Sequence, residues 1–138
     1  MTDIPPLPDA VATTVAAWPV AAQTAFHALR ARIQIAALDV PATGPLLETL
    51  KWGEPAWLTQ VSKSGTTLRV AWKPVHPDEI GVFVNCRTSL LETIREIYPD
   101  AFRYDGTRGL WLRLAQPIPE QAMDHLARLA QGYHRNRR

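Results

Sequence analysis

The segment from Lys51 to Trp57 places two charged side chains and two indole rings around a glycine and a proline. Gly53 and Pro55 favour a fixed turn, which would hold the side chains of this segment in set directions. Such a turn can line a binding pocket, whose candidate residues are Lys51, Trp52, Glu54 and Trp57. The same residues would also suit a connection between a helix and a strand, with the glycine needed for its backbone and the tryptophans for the core.

A second group of candidates comes from strand faces that combine arginine with aromatic rings. On the strands predicted below, the faces opposite the aliphatic ones carry Arg69, Phe83, Asn85, Arg103, Trp111 and Arg113. A guanidinium group beside aromatic rings can pair with a carboxylate or phosphate while the rings stack on a planar ligand. In the alternative arrangement the rings pack and the arginines reach water, or Arg69 and Arg103 pair with carboxylates such as Glu54 or Asp105.

The residue types of metal and catalytic centres lack the spacing of a known motif. The four histidines are His27, His76, His125 and His134, and they show none of the short paired spacings of a zinc site. The sequence contains no glycine-rich phosphate loop, nucleophile elbow or paired-carboxylate motif. We therefore assign no catalytic residue, no metal ligand and no cofactor, and we expect a binding protein rather than an enzyme.

The single cysteine, Cys86, excludes a disulfide within one chain. On an extended strand it shares the parity of Ile80, Val82 and Val84. We therefore expect Cys86 to be buried and unreactive.

The composition is that of one folded domain. A chain of 138 residues with 46% hydrophobic and 20% charged side chains is not intrinsically disordered. The net charge of +2 owes much to four arginines within residues 128–138, a basic tail that could contact phosphate. No apolar run approaches the roughly 18 residues of a membrane span, and no Lys or Arg precedes Arg30. We therefore expect a cytoplasmic protein with no signal peptide and no membrane partner.

The sequence pattern predicts that the first third of the chain is helical. Asp9 would cap a short helix over residues 10–17, and a second helix would begin near Pro19. The apolar stripe of that second helix comprises Ala22, Phe26, Leu29, Ile33 and Ala36. A short third helix is predicted over residues 46–50, ending before Gly53.

Period-two patterns follow from residue 56 onward. They predict strands over 56–62 and 66–73 around a Ser64-Gly65 turn, and further strands over 80–86, 102–104 and 110–114. Ser89 and Glu92 form a capping-box pattern at the start of an intervening helix, and a last helix follows Pro119. The pattern indicates an α+β fold: a two-layer domain with N-terminal helices packed on a mostly antiparallel sheet of about five strands, and a C-terminal helix. Residues 1–16 would form an N-terminal extension with a short helix, and residues 17–138 a single domain.

Several separated segments resemble one known family. They are Lys51-Trp52-Gly53-Glu54-Pro55 with the aromatic Trp57 after it, Thr66-Thr67-Leu68-Arg69, residues 88–100, Phe102-Arg103-Tyr104-Asp105-Gly106 and Tyr133-His134-Arg135. In these segments the chain resembles the YdhG-like family, the domain of unknown function numbered 1801, over about residues 17–135. The resemblance implies a compact α+β domain with an antiparallel sheet. One branch of the family is regarded as frataxin-like and linked to iron delivery, which relies on acidic surface on the first helix. This chain has no Asp or Glu between Ala10 and Leu38.

The leading hypothesis is a protein that binds a small, anionic and partly apolar ligand between the Lys51–Trp57 turn and the arginine–aromatic face. Its candidate residues are Lys51, Trp52, Glu54, Trp57, Arg69, Arg103 and Trp111. One alternative is a frataxin-like metallochaperone that binds iron. Another is an interaction module whose strand edge or basic tail docks a protein or nucleic acid, although we do not expect nucleic acid as the main partner. A monomer and a homodimer are both compatible with the sequence.

Overall fold

The structure is a computed structural model that describes residues 4–137, and it confirms the α+β fold. Its helices are α1 (Asp9–Ala16), α2 (Val20–Asp39), α3 (Leu90–Ile97) and α4 (Glu120–Gln131). Its strands are β1 (Leu47–Lys51), β2 (Glu54–Leu58), β3 (Leu68–Ala71), β4 (Glu79–Phe83), β5 (Arg103–Asp105) and β6 (Gly109–Arg113). Six strands form one antiparallel sheet in the order β1-β2-β3-β4-β6-β5, which is one strand more than expected.

The additional strand is β1, where the prediction of a helix over residues 46–50 was wrong. The two residues of the following turn, Trp52 and Gly53, both have positive φ, at 56° and 75°. This is the backbone of the tight hairpin turn that matches the twist of antiparallel strands. The turn pairs Lys51 with Glu54 and sets the register of β1 against β2. A five-residue helix would be marginal by itself, so the hairpin determines the local structure.

The core lies between the helices and one face of the sheet. Every residue of the apolar stripe predicted on α2 is buried, which confirms that pattern. The sheet contributes its alternate side chains to the same core, namely Leu68, Val70, Ile80, Val82, Leu110 and Leu112. From α1, Val11 and Val15 belong to this core, so residues 9–16 pack into the same body as the rest of the described chain.

The antiparallel pairing of β2 with β3 confirms that these strands are partners, but a long connection joins them instead of the predicted tight turn at Ser64-Gly65. The strand β2 ends at Leu58, and residues 59–67 cross to the end of α4. There the Ser64 hydroxyl donates a hydrogen bond to the carbonyl of Gln131 at 2.7 Å. A Cβ atom at Gly65 would lie 2.2 Å from the carbonyl oxygen of Ala130, so this close approach of two backbones requires glycine.

Three local expectations were also wrong. Cys86 is exposed, because β4 ends at Phe83 and the strand parity does not extend to residue 86. The capping box is not formed, since the Ser89 side chain makes no capping hydrogen bond at the start of α3. Asp9 is the first residue of α1, and Pro8 occupies the capping position.

Within residues 4–137, no helix is both long and apolar enough to cross a membrane.

Candidate functional site

The sheet face away from the helices carries a layer of aromatic rings. Phe83 on β4 and Trp111 on β6 meet edge to face with their centroids 5.5 Å apart, and the His76 ring lies 4.5 Å from that of Trp111. Two glycines make room for this layer. A Cβ atom at Gly81 or Gly109 would lie within 2.8 Å of the Phe83 ring, so these strand positions need glycine beneath the ring.

Basic side chains cover these rings. The Arg69 guanidinium lies 5.6 Å and the Lys73 ammonium 5.4 Å from the Phe83 ring centroid. The Arg103 guanidinium lies 5.6 Å from the centroid of Trp111. All three distances are within the range of cation–π attraction. Trp111 is only 4% exposed, so its ring is closed to a stacking ligand.

Carboxylates neutralise the same basic side chains. Glu54 accepts a hydrogen bond from Arg69 and lies 3.4 Å from the Lys73 ammonium. Glu79 accepts two hydrogen bonds from Arg103, at 2.9 and 2.7 Å. The hydrogen bonding by Arg103 lowers the pKa of Glu79 below its usual value; burial opposes this effect, and the charges of Arg103, His76 and Arg113 add to it.

Arg69 and Arg103 both form ion pairs with carboxylates, which is one of the arrangements expected from the sequence. Glu54 is the expected partner of Arg69, whereas Arg103 pairs with Glu79 instead of Asp105. Two strands separate β3 from β5, which puts these arginines about 14 Å apart across the sheet. They therefore cannot share one small anion.

Trp57 lies on the core side of the sheet and is 2% exposed. Its indole N–H donates a hydrogen bond of 2.8 Å to the carboxylate of Glu48 on β1. Arg30 on α2 holds the same carboxylate through hydrogen bonds of 2.6 and 2.8 Å, and it also donates to the carbonyl of Pro5 at 2.6 Å. Trp57 is thus part of a buried network that joins α2, the first two strands and the N-terminal segment.

A cleft beside the β1–β2 turn brings three of the candidate residues together. We call it the turn cleft; it measures about 430 Å³ and is lined by Lys51, Trp52, Thr67, Arg69, Val84, Asn85, Cys86 and Arg108. The backbone N–H of Val84 donates a hydrogen bond of 2.7 Å to the Arg108 carbonyl, which joins the end of β4 to the start of β6 here. Arg108, Cys86, Thr67 and Val84 were not among the candidates from the sequence, because only the pairing of distant strands brings them to the turn.

The charge of the turn cleft is positive. Three cationic side chains line it, and no carboxylate does. Arg69 has Glu54 as its partner, whereas Lys51 and Arg108 form no ion pair within residues 4–137. Two basic groups at this cleft are therefore available to an anion.

Trp52 forms one rim of the turn cleft. It is 90% exposed, and within the described residues it makes no hydrogen bond and no ring contact. Its φ of 56° lies in the left-handed region, which bulky side chains rarely adopt. Neither burial nor turn preference accounts for a tryptophan at this position.

The remaining candidates lie elsewhere. Arg103 and Trp111 line a separate cleft of about 410 Å³. Two acids, Glu79 and Asp100, share that lining with Arg113, so this cleft has no excess of positive charge. Glu54 lies behind the turn cleft as the partner of Arg69, and Trp57 is in the core.

Metal-binding residue types are dispersed over the part of the chain that the structure describes. No group of three or more His, Cys, Asp or Glu side chains comes together there. His125 instead pairs with the Tyr98 hydroxyl at 3.0 Å. These contacts provide no support for the iron-binding alternative.

No protein-family model matches this sequence, and it matches neither a curated protein nor a solved structure. The resemblance to the YdhG-like family therefore depends on the segments quoted above.

Proposed function

We propose that this chain is a cytoplasmic YdhG-like domain that binds a small, anionic and partly apolar ligand in the turn cleft. The observation that carries the proposal is the lining itself, in which Lys51, Arg69 and Arg108 surround the cleft without a carboxylate among the lining residues. Its volume of about 430 Å³ falls in the range of small-molecule sites.

The electrostatics favour an anion over an empty cleft. Like charges held near one another repel, by about 1 kcal/mol or less for each solvated pair. An anion between Lys51 and Arg108 would relieve this repulsion and accept charge-assisted hydrogen bonds from both side chains. Because Glu54 already pairs with Arg69, the Arg69 guanidinium would mainly form part of the cleft wall and would contribute less to binding the anion.

The lining supports binding rather than proton transfer. General acid–base catalysis needs a side chain that can gain and lose a proton near neutral pH, most often His, Asp or Glu. None of these residue types lines the turn cleft. The most apolar side chains in the lining are those of Trp52 and Val84.

Calorimetric titration with inorganic phosphate and with citrate tests the proposal. We expect saturable binding to the unmodified protein, and a loss of affinity of at least fivefold in Arg108→Met. Arg113→Met is the matched control, since it removes an exposed arginine on β6 that does not line the turn cleft. Equal weakening in both variants would reveal a general charge effect, and absence of saturable binding to the unmodified protein would refute the proposal.

A further inference from the structure

We infer that the ligand of the turn cleft is an aromatic phosphomonoester of mononucleotide size, whose ring stacks on Trp52 while its phosphate lies between Lys51 and Arg108. This inference rests on the proposed function and adds the chemical class of the ligand. Trp52 is the residue of the cleft whose identity the fold explains least.

Folding alone would favour a different residue at position 52. The first position of this type of two-residue turn favours Asn, Asp or Gly, because these residues tolerate a positive φ. Trp52 instead combines a φ of 56° with 90% exposure. Strained backbone conformations of this kind concentrate at binding sites. The indole ring therefore does not pack in the core and is available to contact a ligand.

The surroundings of Trp52 favour a small charged ligand over an apolar protein partner. Its neighbours in the cleft are Lys51, Arg69 and Arg108. The exposed apolar side chain of β1, Leu47, lies at the end of that strand away from the turn, about 16 Å from Trp52 along the extended chain. The indole is thus a strongly exposed ring among basic side chains at the turn cleft, which favours a charged ligand over the apolar surface of a protein interface.

Charge matching selects phosphate as the anionic group. Lys51 and Arg108 are the two lining cations without an ion pair among the described residues. A phosphomonoester carries a charge of about −1.5 to −2 at pH 7, which balances these two groups. A carboxylate would leave one of them uncompensated.

The size and the single available ring favour one nucleotide-sized ligand over a nucleic-acid strand. Binding of a strand relies on several rings in succession along a groove. Here the neighbouring rings of the sheet are covered by basic side chains, and Trp111 is almost completely buried. Trp52 is thus the one strongly exposed aromatic ring at the turn cleft within the described part of the chain.

Calorimetry on the full chain with four probes at constant ionic strength tests the inference. The probes are adenosine 5′-monophosphate, inorganic phosphate, adenosine and benzoate. We expect adenosine 5′-monophosphate to bind on the order of tenfold more tightly than inorganic phosphate, the effect of one stacked ring. Adenosine and benzoate should bind more weakly than adenosine 5′-monophosphate, because one lacks the phosphate and the other carries a single charge.

Two variants assign the effect to the indole ring. Trp52→Asn should remove the tenfold advantage of adenosine 5′-monophosphate and leave phosphate affinity unchanged, and it should fold because asparagine suits this turn. Trp52→Phe keeps a ring and should retain most of the advantage.

Phosphate binding that depends on Arg108 without any advantage for adenosine 5′-monophosphate would refute this inference and leave the proposed function intact. Binding of adenosine or benzoate as tight as that of adenosine 5′-monophosphate would refute the phosphate assignment. Much tighter binding of a 12-nucleotide single strand that depends on Trp52 would refute the mononucleotide assignment and identify a nucleic-acid strand as the ligand.

Discussion

Lys51 and Glu54 lie directly opposite each other in the β1–β2 hairpin, yet they do not form an ion pair. Opposite charges at such a cross-strand position usually attract. Here the Glu54 carboxylate instead accepts the hydrogen bond of Arg69 and lies 3.4 Å from Lys73. This diversion of Glu54 is what leaves Lys51 available at the turn cleft.

Removing the charge of Glu54 should therefore strengthen anion binding. In Glu54→Gln the positive potential at the turn cleft rises, because Arg69 and Lys73 lose their counter-charge. We expect phosphate affinity to increase severalfold while the melting temperature falls. Glu120→Gln on α4 removes the same charge at an exposed residue that does not line the turn cleft and serves as the control. A lower phosphate affinity in Glu54→Gln would contradict this account of the cleft.

The buried network around Glu48 should dominate the electrostatic contribution to stability. The Glu48 and Arg30 side chains are only 6% and 10% exposed, so Arg30→Met would leave a buried carboxylate without its counter-charge. We expect a loss of about 3–5 kcal/mol in the free energy of unfolding. Arg128→Met breaks the exposed pair with Asp39, at 3.4 Å, and should cost less than about 1 kcal/mol.

Urea unfolding of both variants checks this difference. Adding Glu48→Gln to Arg30→Met removes the stranded charge and should recover part of the loss. A similar small effect of Arg30→Met and Arg128→Met would show that the Glu48 network does not hold the first two strands to α2.

The two positions of the hairpin turn should respond to substitution in opposite directions. Gly53 has a φ of 75° and nothing within 4 Å of an added Cβ atom, so the cost of Gly53→Val comes from backbone strain alone. We expect a loss of about 1–3 kcal/mol. Trp52→Asn should leave stability unchanged or raise it by up to about 1 kcal/mol, because asparagine tolerates a positive φ.

Thermal melts of these variants, with Gly53→Asn as the tolerated control, measure both effects. An unchanged melting temperature in Gly53→Val would show that the turn adapts without strain. A strong destabilisation in Trp52→Asn would mean that the indole contributes to folding, and would remove the reason for assigning it to a ligand.

The ion pair of Glu79 with Arg103 should make stability depend on pH in acid. Folding lowers the pKa of Glu79, through the hydrogen bonds of Arg103 first. The pair therefore stabilises the fold above the ordinary glutamate pKa of about 4.3, and this contribution disappears as the pH falls through the lowered folded-state value. Since the Arg103 side chain is half exposed, we expect at most about 1 kcal/mol at pH 7.

Urea unfolding of Glu79→Gln between pH 7 and pH 2.5 measures this contribution. The unmodified protein should be more stable than Glu79→Gln at pH 7, and the two should converge in acid. A difference that stays constant over this range would show that the Glu79 charge does not contribute to stability.

Local patterns predicted much of the fold. Helical spacing in α2 identified its buried stripe, and a fixed turn is present at Gly53, as expected, with a φ of 75°. The prediction failed for β1, because the structure of this short segment depends on its pairing with β2. The hairpin turn makes it a strand. The prediction also failed for Cys86, because strand parity gives no signal for where a strand ends.

The site was harder to predict than the fold. Lys51, Trp52 and Arg69 do line one cleft, and the conspicuous turn sequence pointed to the first two of them. Arg108 reaches the same cleft only because the segment after Phe83 pairs with the start of β6. Glu79 was missed as the partner of Arg103 for the same reason, since 24 residues separate them along the chain.

The alkylation rate of Cys86 tests the central claim most directly, that the turn cleft holds an anion. Cys86 is the single cysteine of the chain, it is exposed and it lines the turn cleft, so iodoacetamide reports on this site alone. Phosphate should slow alkylation in a saturable way, compared with sodium chloride at the same ionic strength, and Arg108→Met should abolish this protection whereas Arg113→Met should not. An alkylation rate that phosphate leaves unchanged in the unmodified protein would contradict the claim.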